Sequence, residues 1–149
     1  MKAGAFDAIA TILLNGKRSS VLMELETTVN VKPVEFDRDL LNAVQKDQPG
    51  ALLNTVSPAG WPSLTAEALS PAMSGILGSR PEIDNETGYT LVKTIYESSD
   101  DIRKISTELE MVTIEHATRF LLPGFPVNGG AAKYFKEKGV WRDELQIRA

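Results

Sequence analysis

A chain of 149 residues with 16 Lys and Arg against 20 Asp and Glu, a net charge of −4, and no cysteine excludes several classes at once. There is no disulfide framework, no thiolate nucleophile and no cysteine-ligated metal site, and a single histidine, His116, rules out a multi-histidine centre. The acidic balance and the absence of a basic stripe argue against nucleic acid, whose phosphates are gathered by clustered Lys and Arg. A hydrophobic share of 42% suffices for a folded core, yet no apolar run approaches the roughly 20 residues that span a bilayer.

In chain order, Met1, Lys2, Ala3 and Gly4 lead into no signal-peptide core. An apolar, β-branched run over residues 6–14 follows at once and stops at Asn15-Gly16, which predicts a buried strand. Its near-continuous apolarity predicts a parallel strand covered on both faces, and a strand that begins so abruptly fits a chain lacking an upstream part. Ser19 and Ser20 cap a short helix with Val21, Leu22 and Leu25 inward and Glu24 and Glu26 facing water. Residues 29–36 read as a second strand, with Pro33 at an edge or kink. Asp37 caps a helix with Leu40, Leu41 and Val44 inward, stopped at Pro49-Gly50. The first fifty or so residues thus read as β-α-β-α.

Residues 51–57 predict a further strand and Pro58-Ala59-Gly60 a turn. Across residues 61–80 the style changes, because Pro62 and Pro71 forbid a continuous helix. An extended path remains, with Ala68, Leu69, Ala72, Met73, Ile76 and Leu77 to bury, either as a strand crossing between two packed bodies or as an ordinary edge strand. Ser79 and Glu82 have capping-box spacing around Pro81. Leu91, Val92, Ile95, Tyr96, Ile102, Ile105 and Leu109 then form a helical stripe, which Ser98-Ser99 divides in two. Residues 113–120 read as another helix, 123–130 as a loop, and 131–138 as a final helix ended by Gly139.

The sequence carries no catalytic constellation. His116, with Glu115 beside it and Arg119 three positions on, reads as a packing or surface residue rather than an acid/base group. The carboxylates Glu24, Glu26, Glu35 and Asp37 read as solvated, and Ser57 and Ser63 lack the glycine spacing that presents a nucleophile. Two loops are more informative. Asn15, Gly16, Lys17, Arg18 and Ser19 lie between a predicted strand end and a helix start, where free N–H groups and two cations favour an anion. Asn128-Gly129-Gly130 precedes the last helix and could cradle an anion similarly, although glycine there also serves the turn.

The order of these segments resembles the C-terminal half of the TAXI family, the solute-binding receptors of TRAP transporters. Gly4 to Ala8 (GAFDA) resembles the family's G-x-x-D-A strand entry, and Met23 to Thr28 (MELETT) its E-L-A-x-T helix end. Val56 to Pro62 (VSPAGWP) resembles the crossing segment I-P-A-G-x-Y, with Trp61 near the aromatic. The two most specific likenesses are Tyr89 to Glu97 (YTLVKTIYE), similar to Y-x-I-T-K-A-L-x-E, and Phe125 to Gly139 (FPVNGGAAKYFKEKG), similar to P-x-P-L-H-P-G-A-x-x-Y-Y-K-E-K-G. The chain departs from the pattern at Asn128, where the family has histidine, and at residues 15–18, which replace a G-G-x-P loop.

The resemblance implies an α/β chain with a partial periplasmic-binding-protein type II fold: a β-α-β-α half, a crossing strand and C-terminal helices. Residues 1–60 would correspond to part of lobe II, 61–80 to the crossing or hinge segment, and 81–149 to the C-terminal portion of lobe I. It further implies binding without catalysis, metal or cofactor, and a periplasmic or extracytoplasmic location. The implied partners are a small organic anion or amino acid, held near residues 15–19 and Trp61, and a TRAP membrane permease. A homodimer or a separate N-terminal half would complete the two-lobed body. The alternative is a stand-alone dimeric interaction or effector-sensing module that reuses half of the fold.

Overall fold

The computed structural model describes residues 6–48 and 50–148. It resolves into two compact units, Met1–Met73 and Ser74–Ala149, and the division falls inside the stretch 61–80. Gly4 and Ala5 of the family-like entry motif, and Pro49 of the expected helix stop, lie outside the described residues.

In the first unit, α1 (Ser20–Glu26) and α2 (Arg38–Asp47) precede β1 (Leu52–Val56) and β2 (Ala68–Ala72). The two strands pair antiparallel, with Leu52 opposite Ala72 and Val56 opposite Ala68. Capping follows the sequence. The Ser19 hydroxyl accepts from the Leu22 N–H, and Asp37 Oδ1 accepts from Asp39 and Leu40. Leu22, Val31, Val56, Trp61, Leu64 and Ala68 form the core, with Leu13, Leu25 and Val29 against it. Complete burial of Leu22 contributes about 1.5–3 kcal/mol.

The expected strands over residues 6–14 and 29–36 are not formed, so the β-α-β-α reading is corrected to two helices followed by a two-stranded antiparallel sheet. A strand exists by hydrogen bonds to a neighbouring edge, and Leu14 instead pairs with Lys17 across a tight turn. Phe6, Ile9 and Ile12 remain exposed, as does Val34, while of residues 29–36 Val31 is buried in the core and Val29 packs against it. Val21, Leu40 and Val44 also face outward, contrary to the helix faces expected for them.

The second unit contains α3 (Asn85–Glu97), α4 (Ser99–Ile105), two single turns of 3₁₀ helix (Thr107–Leu109 and Ile114–His116) and α5 (Gly129–Glu137). The expected division at Ser98 is observed. The cap of α3 is Asp84 rather than Ser79, because Arg148 donates to the carbonyls of Pro81 and Ile83 and holds that segment out of the helix. Residues 113–120 form one short turn instead of a helix. Arg142 takes the carbonyls of Thr118 and Arg119 at 2.9 and 2.8 Å, and the Thr118 hydroxyl donates to Val140 O. Tyr134 and Phe135 of α5 pack against Tyr89, Val92 and Tyr96 of α3, with the Tyr89 and Tyr134 rings edge to face at 5.6 Å.

Close approach of α3 and α5 depends on Gly130. A Cβ there would lie 1.7 Å from the Asn85 carbonyl oxygen.

Candidate functional site

Local chemistry sets the turn at residues 14–17. Asn15 and Gly16 take positive φ values of 51° and 75°, and the Leu14 and Lys17 N–H and C=O groups exchange two bonds of 2.9 Å. Asn-Gly is the pair that tolerates this tight reversal. A second turn meets it. The Gly60 and Trp61 N–H groups both donate to Ser57 O, and Gly60 packs so closely on Gly16 that a Cβ would fall 2.0 Å from the Gly16 carbonyl oxygen.

Glu26, the last residue of α1, joins these turns. Its Oε2 lies 2.5 Å from Arg18 Nη1, and its Oε1 accepts from the Trp61 indole Nε1 at 2.8 Å. The Glu26 and Arg18 side chains are 15% and 27% exposed. Burial raises the Glu26 pKa, but the Arg18 and Trp61 hydrogen bonds, the guanidinium charge and a lesser bond from Ser63 outweigh it, so the carboxyl sits below its ordinary value. Glu26 is therefore no solvated surface carboxylate, contrary to the expectation for it.

The structure thus brings Asn15, Gly16, Lys17, Arg18 and Ser19 to one side of the first unit and seats Trp61 beside Arg18 through Glu26. It also alters the anion argument. The Ser19 hydroxyl caps α1, a helix of seven residues, and Glu26 neutralises Arg18. Spacing did not indicate Glu26, because Arg18 and Glu26 stand at opposite ends of α1 and Trp61 is 35 residues on. One signal was available: a buried tryptophan N–H needs an acceptor.

At the second loop, Asn128 satisfies the start of α5 itself. Its Oδ1 accepts from the Gly130 and Ala131 N–H groups at 2.9 and 3.2 Å, and its Nδ2 donates to Ile83 O and Asp84 O. The anion cradle weighed at Asn128-Gly129-Gly130, against the reading in which glycine serves the turn, is occupied by the chain's own amide.

His116 is half-buried, with Nδ1 3.0 Å from the Thr113 hydroxyl. The depression of 330 Å³ nearby, lined by Glu115, Thr118, Arg119, Val140 and Arg142, has its Arg142 guanidinium spent on Glu144 and on backbone carbonyls. Among the described residues no group of three or more His, Asp or Glu could hold a metal ion.

The chain matches the NMT1-like family over residues 1–139. It belongs to that family. This is a periplasmic-binding-type family of binding proteins, which suggests a solute-binding role, a periplasmic-binding-like fold and an extracytoplasmic location. No curated protein and no solved structure matches the chain. Among the described residues of this NMT1-like protein, no helix is long and apolar enough to cross a membrane.

Proposed function

We propose that this NMT1-like chain is a solute-binding protein of the TAXI kind. It holds a small carboxylate or amino acid at the turn of residues 15–19 beside Trp61, and serves a TRAP-type permease without changing the ligand chemically. The observation that carries the reading is the meeting of Arg18, Glu26 and Trp61 at two abutting turns, in a chain of a binding-protein family. A guanidinium bears donors on every nitrogen, and the Glu26 contact engages Nη1, so this partly exposed fork retains donors for a second carboxylate. The Trp61 indole, buried in the core of the first unit, anchors Glu26 beside that guanidinium.

A charged hydrogen bond of about 1.5–3 kcal/mol, set against the cost of association, leaves a single lobe with affinity no tighter than about millimolar. Calorimetric titration of small carboxylates and amino acids should show salt-sensitive binding to wild type and at least about tenfold weaker binding to Arg18→Ala. Equal affinity in both proteins removes the site.

A second reading, self-association, is favoured by the apolar exposure of the first unit, where Ile12 is 66%, Val21 72% and Val34 78% exposed. A second copy, or a companion lobe of the receptor, would cover these side chains. Sedimentation equilibrium reads the outcome directly: a dimer mass supports this reading and a monomer at high concentration ends it.

A further inference from the structure

We infer that Glu26 is an internal competitor for the ligand: its carboxylate occupies Nη1 of Arg18, and a ligand carboxylate that grips both η nitrogens must take Nη1 from it. The inference rests on the ligand reading above and adds a residue that sets its selectivity. Glu26 Oε2 lies 2.5 Å from Arg18 Nη1, in the position a ligand oxygen would take. Two carboxylates at one guanidinium repel, and a ligand that grips both η nitrogens needs the one that Oε2 now holds, so it displaces Oε2. The opposite oxygen is anchored, because Oε1 accepts from Trp61 Nε1 at 2.8 Å and Trp61 is fixed in the core of the first unit.

Displacement therefore rotates Glu26 about a held end, and the indole N–H experiences the change. Simple monocarboxylates gain little, since what they win from Arg18 is what Glu26 gives up. Removing the charge while keeping an acceptor for Trp61 relieves the competition, and glutamine at this position does both.

Succinate is the probe. Calorimetry should give Glu26→Gln a dissociation constant about tenfold below that of wild type, as expected when a charge-assisted contact no longer has to be broken. Unchanged or weaker binding by the folded variant overturns the inference. A second measurement keeps native Glu26. In ¹⁵N-labelled Trp141→Phe, whose remaining tryptophan is Trp61, the indole N–H resonance should move along the same succinate isotherm that calorimetry records. Saturable binding with a stationary indole signal overturns the competitor role and leaves the ligand reading standing. If succinate and the other small carboxylates and amino acids bind to none of these proteins, the ligand reading fails and the competitor falls with it.

Discussion

Replacing Glu26 by glutamine should destabilise the first unit by about 1–2 kcal/mol at neutral pH, and the size follows from how the two carboxylate oxygens are used. Oε2 serves Arg18 and Oε1 serves Trp61, whereas an amide has one acceptor oxygen. That oxygen stays with Trp61, which is 7% exposed, while Arg18, at 27%, turns to water. Losing a partly exposed ion pair costs about 0.5–1 kcal/mol, at the upper end of surface pairs. Exchanging a charged for a neutral acceptor at the indole costs about 1 kcal/mol more, and cheaper burial of the amide offsets a fraction. The pH sign is definite. Folding holds the Glu26 pKa below its ordinary value, so as pH falls the unfolded chain takes the proton first. The stabilisation is full above the ordinary carboxylate pKa and is lost as pH drops through the folded value. Urea unfolding read by Trp61 fluorescence in a Trp141→Phe background should show the full difference at pH 7 and a smaller one at about pH 3, below the ordinary carboxylate range. A difference equal at both pH values, or below about 0.5 kcal/mol at pH 7, refutes the reasoning.

Two further outcomes concern the second unit. Gly130→Ala would drive a Cβ to 1.7 Å from the Asn85 carbonyl oxygen and 2.7 Å from the Tyr89 nitrogen, backbone atoms that cannot step aside, so α3 and α5 must separate. The expected cost is about 3 kcal/mol or more, visible as lost near-ultraviolet circular dichroism from Tyr89 and Tyr134, and a native-like spectrum with unchanged stability contradicts it. Asn128→Ala should cost about 1–2 kcal/mol through the lost cap of α5. Asn128→Asp should recover part of that, since it keeps the acceptor but not the donor bonds to Ile83 and Asp84. Thermal melts that rank alanine above aspartate would overturn the assignment.

What the sequence disclosed and what it concealed divide along a physical line. Features decided within a few residues were legible: the Ser19 and Asp37 caps, the Asn15-Gly16 reversal, the break at Ser98 and the final helix ended by Gly139, whose φ is 71°. Features decided by distant partners were not. Residues 6–14 have strand composition, but among the described residues of the first unit their backbone meets no neighbouring edge apart from the Leu14 pairing with Lys17. The capping box at Ser79 was overridden by Arg148, which claims the Pro81 and Ile83 carbonyls that a helix starting there would need, while the backbone over 113–120 is held by Arg142 at the Thr118 and Arg119 carbonyls. Of the candidate site, Arg18 and Trp61 were named from the sequence and their neighbourhood was not, because Glu26 joins them only once α1 and the turn at Ser57 have folded.

The most direct test of the ligand site is a map of backbone amide chemical shifts during titration with succinate and with amino acids. Bound ligand should move the amides of residues 14–19, 24–27 and 57–63 together on one isotherm and leave those lining the depression at Glu115, Thr118 and Arg142 in place. Saturable shifts centred on that depression, or on any surface away from Arg18, Glu26 and Trp61, would contradict the account.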